Sequence, residues 1–340
     1  MRLRGSARHI VLAAVAAVAI VAAACSGDDS NGDDAREPET SAAADGGDSG
    51  APVRVLTFNA LHGLFCPEET DSCRAPERVQ IFTELVEAAA CPDLVGLQEI
   101  GTRLEELLPD AVAGMCDGEY EIAWQAVAGS PDRQMVLARV PIVDEGYLDI
   151  ANAPWEAYWV RIDSEQGPVE FLTAHFASSA NNPPCDASNC PPVCPAGIAT
   201  NECHALEVID FFDGREPAAL TVVAGDLNAE PADPTVARFL EADFLDAWFE
   251  SGNPECDPAT HVGCTGGGSQ PEPFVGMDTP EGPGYDERID YVLVRPGGDC
   301  SVDALELETE AFAAEPRAEP LNGMWWPADH AGVLAELRCP

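Results

Sequence analysis

Lysine is absent from this chain: the Lys+Arg total of 17 consists entirely of arginine, set against 60 Asp+Glu for a net charge of -43. A surface of this sign repels a polyanion at long range, so nonspecific binding to duplex nucleic acid through a basic face is disfavoured. The acids are compatible with a solubility or high-salt adaptation of the surface, and equally with a cleft of carboxylates that binds a divalent metal.

Long hydrophobic runs are missing too. The uncharged stretch from Ile10 to Ala24 is shorter than the roughly 20 residues a membrane helix needs. Arg2, Arg4 and Arg8 precede it and "VAAAC" closes it at Cys25, the arrangement of an export signal. The small residues before Cys25 resemble a bacterial lipoprotein cleavage box. Residues 1–24 are therefore expected to be a signal peptide and Cys25 the lipidated first residue of the mature chain; a plain secretory signal and an uncleaved anchor are the other readings. Residues 25–51, rich in Gly, Ser, Ala and Asp with little to pack, read as a disordered acidic tether. From Pro52 to the C-terminus there is no second flexible linker and no fixed-period repeat, so residues 52–340 are expected to form one domain. The expected location is the bacterial cell envelope, periplasmic or surface, with a monomer held to the bilayer through Cys25.

Paired CxxC knuckles are also lacking, although the chain has 13 cysteines. That number suits an exported protein, where disulfides persist. Setting Cys25 aside leaves the close pairs Cys66/Cys73 and Cys256/Cys264, the cluster Cys185, Cys190, Cys194 and Cys203, and the separated Cys91, Cys116, Cys300 and Cys339. Without a knuckle the cluster reads as disulfides rather than a zinc site. The spacing does not determine which cysteine pairs with which.

Strand-like segments occur at 53–59, 93–100, 120–127, 134–140, 168–176, 219–226, 288–295 and 330–338. Helical spacing appears at Val79, Phe82, Leu85, Val86 and Ala89, again at Leu206, Ile209 and Phe212, and over 233–240. Several strands follow one another directly, so an α/β layer protein with mixed sheets is expected, not a purely parallel one. The segments 181–201 and 253–284 read as surface loops pinned by disulfides.

The strand ends share a design. "LTVVAGDLNAEP" carries an apolar ribbon to Asp226, Asn228 and Pro231, which taken alone is ordinary turn chemistry. But "VRVLTFN" ends on Asn59, "DLVGLQE" on Glu99 and "EFLTAH" on His175, "DYVLV" begins on Asp290, and "PADHAGVL" places Asp329 and His330 before the last strand. Each puts a metal ligand, a proton carrier or an amide where a strand meets a loop, the place where open α/β sheets build their sites.

Taken in order, "FN", "LQE", "AH", "GDLNAEP", "RIDYVLV" and "DH", with "MVLARVPI" between them, resemble the endonuclease/exonuclease/phosphatase superfamily, the metal-dependent phosphodiesterases that include deoxyribonuclease I-like nucleases, inositol-polyphosphate 5-phosphatases and neutral sphingomyelinases. The resemblance runs from about Val53 to the C-terminus. It implies a four-layer sandwich of two mixed β-sheets flanked by helices. It also implies hydrolysis of a phosphoester or phosphodiester by an activated water, as in a secreted nuclease, with a phospholipid or sphingomyelin phosphodiesterase and a non-catalytic binding lipoprotein as alternatives.

The chemistry needs charge neutralisation and a base for water. Glu99 is the foremost metal ligand, a hard carboxylate suited to Mg²⁺ (or Mn²⁺ or Ca²⁺), with Asn59 beside it and Asp329 as a further ligand. Asp226 is placed to orient or deprotonate the water, and Asn228 can donate to a phosphoryl oxygen. Asp290 and His330 are expected to form a carboxylate–imidazole pair, and the resemblance makes His175 the acid for the leaving oxygen. Arg133 is the first candidate for phosphate contact. Some nuclease branches carry an acid two places after the first asparagine, where this chain has Leu61. His62, His204 and His261 receive no role.

Overall fold

The computed structural model describes residues 50–340 apart from 64, 65, 67–70, 125–132, 152–155, 179, 180, 268–275 and 340. The expected signal peptide, Cys25 and nearly all of the tether lie outside the described residues, as does the end of the expected strand 120–127.

Two six-stranded sheets form the framework. The first contains β1 (Val53–Asn59), β2 (Leu94–Ile100), β3 (Glu121–Ala123), β4 (Arg133–Ala138), β11 (Glu306–Phe312) and β12 (Gly332–Arg338), in the order β11-β12-β1-β2-β4-β3. The second contains β5 (Ile142–Asp149), β6 (Glu156–Ser164), β7 (Gly167–His175), β8 (Leu220–Asp226), β9 (Leu245–Asp246) and β10 (Asp290–Pro296), in the order β5-β6-β7-β8-β10-β9. Each sheet is mixed: β1 and β2 run parallel, as do β7 and β8, and the other pairings are antiparallel. The helices are α1 (Asp71–Ala88), α2 (Thr102–Gly114), α3 (Thr200–Asp213), α4 (Pro234–Glu241) and α5 (Ala247–Glu250).

Strand periodicity decides what each face buries. Val53 and Val55 of β1 share one core with Val169 and Phe171 of β7, Leu220, Val222 and Ala224 of β8, and Val292 and Val294 of β10. Leu56 and Phe58, of the opposite parity, pack instead with Val79, Phe82 and Val86 of α1 and Leu104 and Leu108 of α2. Val223 and Leu293 pack with Val208 and Phe212 of α3 and Val236 and Phe239 of α4. Alternate side chains thus serve the sheet–sheet interior and the outer helix layers, which gives four layers. A buried polar link crosses the interior: Gln98 Nε2 donates to Oγ1 of Thr57 at 3.1 Å and of Thr173 at 2.7 Å. Gly96 permits this close approach, since a Cβ there would stand 2.7 Å from Thr173 Oγ1.

Four strands and two helices go beyond the sequence reading. Strands β5 and β11 are edge strands with exposed acids, Asp144, Glu145 and Asp149 on one and Glu306, Glu308 and Glu310 on the other. Charges on an edge discourage pairing with another chain, and they also erase the apolar signal of a strand. β6 and the two-residue β9 were also unassigned. In α2 the apolar spacing Leu104, Leu108, Val112 is interrupted by Pro109, which reads as a break; α5 is a single short turn.

All twelve cysteines from Cys66 onward are joined: Cys66–Cys73, Cys91–Cys116, Cys185–Cys190, Cys194–Cys203, Cys256–Cys264 and Cys300–Cys339. Sulfurs of Cys185, Cys194 and Cys203 lie close enough to suggest a metal cluster, but with every one committed to a disulfide the cluster is a staple of the 181–201 loop.

Candidate active site

The register brings the strand ends together. His175 pairs with Asp226 across β7 and β8, and Asp290 pairs with Asp226 across β10 and β8. Asn59 pairs with Gln98 at the end of β1 and β2, and His330 lies just before β12, which runs antiparallel to β1. All therefore sit at one end of the sandwich. Asn59, His175, Asp226 and Asp290 also share the parity of Val55, Phe171, Ala224 and Val292, so their side chains enter the same space between the sheets.

Glu99 is the exception. It follows Gln98 on β2 and by alternation belongs to the helix-facing side. A bulge between Leu97 and Ile100 and a φ of 58° at Glu99 turn the side chain inward. A glutamate in the left-handed region is strained, by about 1–3 kcal/mol, and such strain persists where the surroundings over-determine the conformation.

Once there, Glu99 is held on both oxygens. Asn59 Nδ2 donates to Oε1 at 3.1 Å, and the backbone N of His62 donates to Oε2 at 3.1 Å. Burial opposes its ionisation, but the neighbouring His62, His175 and His330, with the Asn59 bond, bring its carboxyl down to about 2.

Asp226 is similarly placed. Its Oδ1 accepts the backbone N–H of Asn228 at 2.8 Å, while Oδ2 accepts Asn59 Nδ2 at 3.1 Å and lies 3.6 Å from His175 Nε2 and 3.9 Å from His330 Nε2. Burial raises its carboxyl to about 6, with His175 opposing and Asp290 adding to the rise. That value suits a group that exchanges a proton near neutrality. Asn228 has a φ of 47°, and its side chain donates to Phe176 O at 3.0 Å. In this state it shapes the Asp226 turn and directs its amide into the protein.

The expected Asp290–His330 pair is present, with His330 Nδ1 2.9 Å from Asp290 Oδ2. Burial favours the neutral ring, yet Asp290, supported by Asp226 and Asp329, holds His330 well above 6.5. Asp290 is itself fixed by Thr265, whose Oγ1 accepts the N–H groups of Ile289 and Asp290 at 3.0 Å each. Asp226, Asp290 and His330 present ligand atoms within 4.8 Å of one another.

The donor set fits a divalent cation. Asp329 Oδ1 and Asp290 Oδ1 are buried with no hydrogen-bond partner, and a desolvated carboxylate oxygen left this way is costly unless something charged meets it. Burial lifts the Asp329 carboxyl to about 6, Glu99 adding to the rise while His330 opposes it. A cation between such groups relieves that cost, and the oxygens of Glu99, Asn59 and Asp329 are hard donors suited to Mg²⁺ or Mn²⁺.

Arg133, the candidate for phosphate contact, is engaged by a carboxylate of its own. It opens β4 opposite Ile100 and is paired with Glu105 of α2. Two residues without an assigned role belong to the site. His62 Nε2 lies 3.3 Å from Glu99 Oε2. Arg78 of α1, 1% exposed, donates to the carbonyls of Ala60, Leu61, Ser72, Cys73 and Pro327. It thereby ties the loop after Asn59 to the segment leading to Asp329. Neither stood out because a loop histidine and a helical arginine are usually surface residues. His204 serves the core: it is fully buried, contacts Ala151 O at 2.7 Å, and burial depresses it to about 4. His261, exposed, contacts Tyr285 O.

Comparison with known proteins agrees with this architecture. Among solved structures, an endonuclease/exonuclease/phosphatase family protein from Bacteroides thetaiotaomicron aligns with a TM-score of 0.59 at 14% identity, covering 86% of this chain and 99% of that one. The mannosyl-6-phosphatase Bt3783 of the same organism gives 0.58 at 14%, covering 84% and 99%. TDP2 from D. rerio, solved with a single-strand DNA product, gives 0.57 at 14%, covering 84% and 98%. At such identity the likeness is one of fold. No curated protein matches the chain by sequence. A model of the Endonuclease/Exonuclease/phosphatase family matches residues 56–330, a span that holds every strand end described above, and the chain belongs to that family of phosphoesterases.

Proposed function

We propose that this protein is an exported phosphoesterase, carried to the bacterial envelope as a lipoprotein on Cys25, that hydrolyses a phosphoester or phosphodiester with the help of Mg²⁺ or Mn²⁺. The observation that carries the chemistry is the convergence of Glu99, Asp226, His175 and the Asp290–His330 pair at one end of the sandwich. Enzymes of this family typically use a divalent metal. When bound by Glu99, Asn59 and Asp329, it supplies Lewis-acid polarisation and neutralises charge on the phosphoryl group. Asp226, held through Oδ1 by Asn228 N and through Oδ2 by Asn59, orients water and takes its proton. His330, held cationic by Asp290, faces the anionic phosphoryl oxygens, and His175 delivers the proton to the leaving oxygen. Six disulfides and the apolar run ending at Cys25 support export.

Charge favours a substrate with one or a few phosphates. Every arginine from Arg54 to Arg317 other than Arg78 pairs with a carboxylate, so these cations are already committed and a long polyanion gains little from them. A nuclease acting on single-stranded ends is the second reading, favoured by the shared fold of the DNA-bound D. rerio TDP2.

The test is a panel assay of the full chain with Mg²⁺, Mn²⁺ or Ca²⁺ on sugar phosphates, inositol phosphates, a bis-aryl phosphodiester, sphingomyelin, RNA, and single- and double-stranded DNA. Turnover of a small phosphoester, abolished by EDTA and restored by Mg²⁺ or Mn²⁺, is expected. Preferential cleavage of single-stranded DNA shifts the assignment to the second reading. Full activity in EDTA overturns the metal-dependent mechanism.

A further inference from the structure

His62 occupies a position that a solvent-facing loop residue does not require. Its Nε2 lies 3.3 Å from Glu99 Oε2, and the side chain is 12% exposed. Two donors bound to one cation at about 2.1 Å stand roughly 3.0 Å apart at a right angle and roughly 3.4 Å apart at a tetrahedral angle. The observed separation falls within that span, and it is long for a charge-assisted hydrogen bond of about 2.7–2.9 Å. Asn59 is committed to the other oxygen of Glu99 at 3.1 Å, so His62 has the Oε2 side. The partnerless Asp329 Oδ1 provides a further donor in the same charged cluster.

The loop that carries His62 is fixed from several directions. Arg78 donates to Leu61 O at 3.0 Å and also to Ala60 O, and Leu61 N donates to Asn59 Oδ1 at 3.1 Å. Leu61 and Gly63, near neighbours on either side of His62, both have positive φ, 55° and 75°. A Cβ at Gly63 would meet Ser72 O at 2.9 Å, and one at Gly101 would meet His62 O at 2.9 Å. Bulk is therefore excluded on two sides so that the His62 backbone can lie against the end of β2, next to the bulge that turns Glu99 inward.

We infer that His62 is a nitrogen ligand of the cation held by Glu99, which makes the centre a mixed carboxylate–imidazole site that prefers Mn²⁺ and other first-row transition ions to Mg²⁺. Imidazole suits Fe, Ni, Cu and Zn best, and Mn²⁺, the most oxygen-preferring of the first-row ions, still accepts a nitrogen donor more readily than Mg²⁺, which takes oxygen ligands and holds on to its waters. The inference rests on the metal-dependent reading above.

Pulsed electron paramagnetic resonance of the full chain loaded with one equivalent of Mn²⁺ tests it, through the nuclear modulation of a directly bound ¹⁴N. Modulation is expected in the wild type and in His175→Gln, and its loss is expected in His62→Gln. Mn²⁺ affinity of His62→Gln should fall by at least about tenfold, the scale of disturbing a metal's immediate partners, with Mg²⁺ affinity changed much less. Bound Mn²⁺ without ¹⁴N modulation in the wild type overturns the inference and leaves metal dependence standing, and this outcome requires no variant to fold. Modulation that persists in His62→Gln overturns it equally. Failure of both Mn²⁺ and Mg²⁺ to bind overturns the inference and the metal-dependent reading together.

Discussion

Asn59, at the end of β1 in one sheet, donates through Nδ2 to Oδ2 of Asp226, at the end of β8 in the other, at 3.1 Å. One side chain thus bridges the two sheets where they open, holding the base candidate at a fixed distance from Glu99. Asp226→Asn preserves shape but removes charge and basicity. Turnover should fall by about 10² or more, the scale of losing a positioned acid or base, with the thermal midpoint nearly unchanged. Asp233→Asn, at the cap of α4, should stay close to wild type. If Asp226→Asn retains turnover within about twofold, the aspartate is a turn former, since asparagine serves a turn almost as well.

The pH profile follows from two opposed shifts. Asp226, raised to about 6 by burial, must be ionised to accept a proton, so kcat/KM should climb through about pH 6. His330 lies well above 6.5: burial works against its charge and Asp290 overrides it. Activity should therefore persist past neutrality and decline only when the ring loses its proton. In Asp290→Asn the source of that rise is gone, and the alkaline limb should move toward lower pH. An unmoved limb would remove the pair from the mechanism.

Arg78 carries a buried charge, stabilised by the carbonyls it binds and by the nearby carboxylates of Asp329 and Glu99. Arg78→Met should lower stability by roughly 3 kcal/mol or more, because several buried carbonyls are left without donors. It should also weaken activity by loosening the loops of His62 and Asp329. Arg78→Lys should rescue only part of this, having three donors on a point charge where the guanidinium has five in a plane. Denaturant melts of the three proteins give the ordering directly.

Counting free thiols in the denatured, unreduced protein should find none among Cys66 to Cys339, given the six bridges. Cys300–Cys339 closes a separation of 39 residues and fastens the chain end beyond β12. Replacing both by serine should cost about 4 kcal/mol on the loop-entropy model, read as a lower denaturation midpoint.

Cys25→Ser tests the anchor. The wild-type chain, expressed in a bacterial host, should partition with membranes and the variant should not. An intact mass that begins at an unmodified Met1 would reject lipidation.

Most of the framework follows from local pattern. The apolar runs of β1, β2, β4, β7, β8, β10 and β12 are legible because a strand buried on both faces must be apolar along its length. The edge strands β5 and β11 are not, since their acids are the surface of an edge. Disulfide partners also had to wait for the fold. Sequence distance alone does not say that Cys91 meets Cys116 or that Cys300 meets Cys339.

For the site, Asn59, His175, Asp226 and Asp290 are candidates by sequence because each lies where a strand meets a loop, and in the structure period-two alternation continues the inward face of each strand to its last or first residue. Glu99, a candidate on the same ground, does not follow that alternation. Glu99 has the parity of the helix-facing side, and only the bulge and the left-handed backbone bring it inward. His62 and Arg78 were out of reach. Their roles come from long-range contacts, with Glu99 across 37 residues and with Pro327 across 249, and contacts between distant segments leave no local periodicity to read.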